Sequence, residues 1–421
     1  APAAMSTGSG EADSASSSRV DLTRIPSRAS LAYTERFTRE RLDGFRLLGD
    51  PAADRVAAEL HQNHGGLTKI HDLLSTVREK AQDASEAGSV FREFLAESSA
   101  MPSWANRAMI ERGQRVHATH MPFIGLSLFS GSLVGGGQFR TAAVVTALAG
   151  NITTDPTRRV NETGMLLAAL AFPGSLMDAG SEAHDSLTRV RLLHGALRHW
   201  LPRSGRLRRH RELVPQQIYV EGEVPLNQQD LAITLGVFCY INLRSLRRMG
   251  IVLSSHDIRC YVHMWRYAGH VLGICDELLP RSLEDQEEFM LCSMLHQGCP
   301  DGIPGASTKQ FIDAFAHQAA RQSRGLLPFG AARTFLQQMT RFLNGNDFTT
   351  GMEIEDLGDW HWSVLLIRAL GLSLGTLLPR LPLGEEALFR LHTAQLRRAL
   401  RLRGTPTGHA AGSGAELRSR L

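Results

Sequence analysis

Of the 17 histidines in the chain, His194 has the neighbours that best suit a metal ligand. It lies in residues 187–201, LTRVRLLHGALRHWL. At helical spacing Leu187, Val190, Leu193, Leu197 and Leu201 fall on one stripe, and His194 sits on the edge of that stripe, so its imidazole is expected to be buried. Arg191 and Arg198, three residues before and four after, flank the same face. Burial and like charge both disfavour protonation, and neutral imidazole is the form that ligates iron. The two guanidinium groups stand where carboxylates beside that iron need partners, and haem b carries two propionates. On spacing alone the competing reading stays open: a core histidine bonded to a carbonyl, with both arginines reaching solvent along their stems.

Other chemistries fit less well. A di-iron bundle needs paired Glu-x-x-His steps, and neither Glu182-Ala183-His184 nor Asp276-Glu277 has such a partner at helical spacing. Gly135-Gly136-Gly137 lacks the preceding strand and the following Lys-Ser/Thr of a phosphate loop, so it reads as close helix packing or a turn. Cys239, Cys260, Cys275, Cys292 and Cys299 are odd in number and include no CxxC pair, so buried thiols are expected rather than disulfides or zinc. The formal charge is +4, and Lys69, Lys80 and Lys309 are the only lysines, a skew that does not itself signal nucleic-acid binding. The basic run 203–211, RSGRLRRHR, follows Pro202 and has no interleaved aromatics. It is expected to be a solvated interhelical loop, with no nucleic-acid partner.

Helices must position these residues. Hydrophobic residues make up 43% of the 421, enough for a large core, and they recur every three to four positions with few period-two runs. The expectation is an all-α fold, a single large helical domain. Residues 1–30 and 404–421 are rich in small and polar residues and are expected to be disordered. Helices should fill 31–100, and the main domain 101–400. Asp50-Pro51 opens a helix to about residue 63, and another follows over 67–79. Residues 102–120 read as an amphipathic helix entering the apolar segment 121–135. Asn227, with Asp230 three residues on, caps a helix over 231–249, and the next runs over 255–279. Residues 217–224 alone look extended, as a short hairpin around Glu221-Gly222. The most apolar stretches, 121–135 and 364–379, are too short or too interrupted by Arg368 to span a bilayer. Both are expected in the core, with no transmembrane span. No charged-then-apolar leader is visible, which favours a cytoplasmic over a secreted location.

Several segments resemble one known family. RVRLLHGALR (189–198) is similar to the proximal haem segment of the latex-clearing rubber oxygenases and the oxygenase of mycophenolic acid biosynthesis. MPSWANRAMIERGQRVHATH (101–120) resembles the family's Pro-x-Trp entry and its R-G-Q helix. RRVNETGMLL (158–167) resembles the arginine, four-residue step and threonine placed over the haem. PLNQQDLAITLGVFCYINLRSLRRMGI (225–251) and YVHMWRYAGHVLGI (261–274) resemble the two helices that follow. The likeness spans about 101–274, and the order and spacing of the segments carry it.

The resemblance implies a haem b pocket inside a globin-like helical core with added helices. It makes His194 the proximal iron ligand and Arg159 and Thr163 paired haem-pocket residues, which i, i+4 spacing puts on one helix face. His263 and His270 match further family histidines. Their spacing of seven separates them by about 10 Å, too far to share one metal ion, so a supporting or packing role is expected. The implied activity is that of a haem-dependent oxygenase using O2 on a small apolar, isoprenoid or lipid-like substrate, with oxidative cleavage of a carbon–carbon double bond as the precedent. Two departures matter. Glu162 stands where the rubber oxygenases have a lysine, and Ala143 stands where they have a glutamate proposed as a base. A carboxylate cannot donate as an ammonium does unless protonated, so the pocket must work differently there. The alternative is a haem-binding or haem-sensing protein without turnover.

Overall fold

The computed structural model describes residues 20–63, 73–133, 139, 156–205, 222–298, 305–323, 326–349, 354 and 362–404. Among the described residues the fold is all-α, as expected. No strand forms, and Phe139 and Gly298 make one isolated antiparallel bridge. The N-terminal helices are α1 (Arg39–Arg46), α2 (Pro51–Asn63), α3 (Leu73–Lys80) and α4 (Glu86–Ser99). Next come α5 (Arg107–Thr119) and α6 (Met121–Ser127), which runs into a π-helical turn, Leu128–Leu133. The central helices are α7 (Pro156–Leu170), α8 (Glu182–Arg203), α9 (Gln228–Arg248) and α10 (Ser255–Val271). They are followed by α11 (Leu283–Gln297), α12 (Gly305–Gln322), α13 (Phe329–Asn344), the short α14 (Asn346–Thr349), α15 (Trp362–Leu370) and α16 (Gly384–Gly404).

Short polar residues start these helices where the sequence places them. The Asn227 side chain accepts the Asp230 N–H at 3.0 Å, and Ser254 does the same for Asp257 at 3.1 Å, each satisfying one orphan donor of a first turn. α9 forms the centre of the main core and buries Leu231, Leu235, Cys239, Tyr240, Leu243 and Leu246. α10 packs beside it through Tyr261, Met264, Trp265 and Ala268. α5 lies close along α10 because Gly113 has no side chain. A Cβ there would run into the Cys260 carbonyl oxygen and sit 2.7 Å from the Met264 Cβ. A second core joins α2, α3 and α4 through Val56, Leu73, Val77, Phe91 and Phe94, closed by Leu192 of α8. α8 therefore bridges the two cores, with Leu187 in one and Leu192 in the other.

Three boundaries differ from expectation. Residues 20–30, expected to be disordered, are ordered: Leu22 is buried and Ile25 packs on the core, because these few apolar side chains suffice once a groove exists. The helix expected over 255–279 ends at Val271, where Gly273 takes φ 79°, a left-handed conformation that glycine adopts without penalty. The two apolar stretches part company. Residues 121–133 are largely inside, with Ile124, Leu128 and Phe129 buried. The second stretch lies in the run Trp362–Arg380, of which only 28% is buried, so the expected core placement fails there. The glycine triplet, 206–221, Cys299 and both termini, 1–19 and 405–421, lie outside the described residues. The other four cysteines are free thiols, three of them buried.

Candidate cofactor site

The face of α8 that meets the protein is only in part the leucine stripe, and His194, expected to be buried, lies half-buried at its edge. Its buried side chains include His184, Leu187, Thr188, Arg191, Leu192, Arg198 and Leu201, while Val190, Leu193, His194 and Leu197 are half-buried. Gly195 sets this rotation. A Cβ on it would come within 2.7 Å of the Ala53 carbonyl oxygen, so only glycine lets α8 lie this close to α2.

Ion pairing draws the two arginines inward. Arg191 donates from Nε and Nη2 to the two carboxylate oxygens of Asp50 at 2.6 and 2.9 Å, and from Nη2 to Glu97 at 2.6 Å. Its Nη1 reaches the Ser98 hydroxyl at 3.3 Å. Burial disfavours the Arg191 charge, but Asp50 and Glu97 outweigh it and raise the guanidinium's pKa. Arg198 donates to Asp54 at 2.6 Å and to the Leu226 carbonyl at 3.0 Å. Gly273 makes room for the first pair, since a Cβ there would strike Asp50 and lie 2.5 Å from the Arg191 Nε. Both arginines thus serve the protein's own carboxylates. Freeing the Arg191 guanidinium for a cofactor carboxylate would strand the buried Asp50 at about 3–5 kcal/mol, whereas the buried Nη2 of Arg198 makes no hydrogen bond among the described residues.

α7 is brought beside α8 by α5. The Gln114 amide donates to the carbonyls of Leu170 and Phe172 at 3.0 and 2.8 Å and accepts the Gly174 N–H at 3.0 Å. His117 meets the Leu167 carbonyl through Nε2 at 3.0 Å. One buried glutamine and one buried histidine therefore secure the end of α7 and the turn leading to α8. Sequence reasoning missed this role, although an R-G-Q core inside an amphipathic helix was a visible signal. Thr163 lies half-buried on α7. Arg159 and Glu162 belong to the same helix, their side chains lie outside what is described, and Ala143 is outside altogether.

His263 and His270 do another job. The His263 Nε2 accepts the Asn106 N–H at 3.0 Å, and the His270 Nε2 meets the Ala100 carbonyl at 3.2 Å. Both rings stand edge-on to Trp104, with centroids 5.7 and 6.0 Å away, and Arg266 stacks on the same indole at 3.9 Å. They hold the Pro-x-Trp turn against α10.

The residues fit a haem at one point and not at another. Val190, Leu193 and Leu197, on the same helix as His194, are apolar and half-buried, as are Met165 and Leu166 on α7. The donor set is a lone imidazole. Among the described residues no three His, Cys, Asp or Glu side chains converge to hold a bare metal ion. A separate cleft of about 420 Å³ lies nearer the start of α8, between Leu74, Leu95, Ser98, Gly180, His184 and Thr188. His194 does not line it.

The chain resembles known proteins over most of its length. The chain is 26% identical over 321 residues to the rubber oxygenase of Streptomyces sp. (strain K30), covering 73% of this chain and 70% of that protein. Its fold matches the closed state of latex clearing protein with a TM-score of 0.58 at 18% identity, over 87% of this chain and 94% of the other. The family model described as ER-bound oxygenase mpaB/B'/rubber oxygenase, catalytic domain, matches residues 115–373, more than half of the chain and all of α7 to α10. The chain therefore belongs to the family of the mpaB and rubber oxygenase catalytic domains.

Proposed function

We propose that the protein is a haem-b-dependent oxygenase of an apolar, isoprenoid or lipid-like substrate, cleaving a carbon–carbon double bond with O2, and that His194 is its axial ligand. The observation that carries this is the half-buried imidazole of His194 among half-covered leucines on the α8 face, in a chain of this family. Haem, when bound, supplies the oxygen chemistry. The protein's own residues hold and shield it. Asp50, Asp54 and Glu97 lock α8 through Arg191 and Arg198, so the imidazole is presented from a rigid helix. Gln114 and His117 hold the end of α7, on which the i, i+4 spacing of Arg159 and Thr163 suits them to cofactor carboxylates. Leu193 and Leu197 exclude water beside the imidazole.

A haem-binding protein without turnover is the second reading, favoured by Glu162 and Ala143 at the two departures from the rubber oxygenases. Absorption of purified protein, oxidised and then reduced, tests the cofactor. His194→Ala is expected to lose the Soret band while keeping its helical circular dichroism, and an unchanged band removes the axial assignment. Oxygen uptake with reductant and unsaturated isoprenoids separates turnover from binding alone.

A further inference from the structure

The run Trp362–Arg380 is built inside out. Its inward side is mostly small: Ser363, Gly371, Gly375 and Thr376 are buried together with Val364, and Ile367 packs on the core. Gly371 lies against the Met249 carbonyl and Gly375 against the Ile251 side chain. The Thr376 hydroxyl accepts the Val252 N–H at 2.8 Å and donates to the Gly250 carbonyl at 2.9 Å. The large side chains point the other way. Trp362 is 57% exposed, and Leu365, Leu366, Leu372, Leu374 and Leu377 are each about half exposed. Among the described residues, nine of the 15 exposed large hydrophobics fall within 362–391. Water-facing patches beyond several hundred Å² are uncommon on soluble monomers and mark interaction sites.

The charges beside this face choose among partners. Glu385 and Glu386 are bound by Arg112, Arg115 and Arg390. Arg368 and Arg380 are exposed and have no acidic partner among the described residues. Pure hydrocarbon offers these arginines nothing. A second copy packed by two-fold symmetry would set the excess positive charge of one chain against that of the other. An anionic bilayer offers acyl chains to the leucines and phosphates to the arginines in one plane. We propose that the run Trp362–Arg380 is a membrane-surface docking helix for anionic phospholipid, lying in the headgroup layer. Its inner side stays tied to residues 249–252, so it rests on the bilayer rather than crossing it. This proposal is independent of the chemistry at His194.

The test is co-sedimentation of the full chain with vesicles of phosphatidylcholine, with or without phosphatidylglycerol. The protein should pellet with the anionic vesicles and remain in solution with the neutral ones, and indole emission should shift to the blue in wild type but not in Trp362→Phe. Leu366→Ser/Leu374→Ser/Leu377→Ser should lose binding with its circular dichroism intact, since all three side chains are half exposed. Arg368→Gln and Arg380→Gln should each weaken binding about five-fold, and this pair decides the matter if the leucine variant fails to fold. Equal pelleting with both vesicles, none with either, or full binding by the arginine pair overturns the proposal. So does a lipid-free dimer that the leucine substitutions dissociate, which would make the face a contact between copies.

Discussion

Mild acid should unfold this protein, and two histidines of the site's supporting layer account for a calculable share. His117 lies fully buried, stacked on Tyr261. Burial lowers its pKa to about 4 despite the bond to the Leu167 carbonyl. Burial does the same to His120, also to about 4, with Asp257 opposing and His392, Arg112 and His117 assisting. In the unfolded chain both titrate near 6.5. Between these values the unfolded chain takes up protons that the folded chain refuses. The stabilisation is therefore complete above about pH 6.5 and is lost as pH falls towards 4. Each histidine accounts for roughly 2 kcal/mol of lost stability at about pH 5 and about 3 kcal/mol by pH 4, against a typical total of about 5–15 kcal/mol. His263, His296 and His392 are shifted the same way by burial and steepen the overall dependence. The assay is urea unfolding at about pH 7.5 and about pH 5, for wild type and His120→Leu. The variant should lose about 2 kcal/mol less than wild type between the two pH values. Equal losses, or a wild-type midpoint that does not move, would refute the claim that these rings are held neutral by burial.

Other substitutions probe the frame around His194. Asp50→Ala should cost about 3–5 kcal/mol in urea unfolding, because it strands the buried Arg191. Asp50→Leu with Arg191→Met should recover much of that loss, and a double variant as unstable as the single one counts against the pairing. Gly113→Ala should destabilise by about 1–3 kcal/mol and lower the thermal midpoint, since its methyl meets the Cys260 carbonyl; a neutral effect shows that α5 and α10 can separate. His263→Ala/His270→Ala should speed proteolysis near Trp104 yet leave bound haem absorbing as before. Loss of the Soret band in a folded double variant would restore these two residues to the cofactor site.

Much of the scaffold was legible because its signals are local. Asp50-Pro51 and Asn227 start helices at α2 and α9, since a cap is satisfied within one turn of chain. The family segments, including the stretch around His194, could be ordered along the sequence without any coordinates. The rotation of α8 was not legible. Periodicity favoured the leucines as the inner face, but the carboxylates that bury Arg191 and Arg198 lie more than 90 residues away, and only packing brings them within 3 Å. Trp104 between His263 and His270 is hidden in the same way, because a ring contact leaves no trace in residue spacing.

Sequence alone pointed to an all-α fold, to the starts of helices such as α2 and α9, and to the family. Capping, periodicity and motif order are properties of neighbouring residues and survive without a third dimension. Tertiary structure decided which side of each helix is inside. It paired the α8 arginines with the protein's own carboxylates, and it left the leucines of the Trp362–Arg380 run facing outward. Burial of a charge or exposure of a leucine depends on what arrives from elsewhere in the chain, and composition does not carry that information.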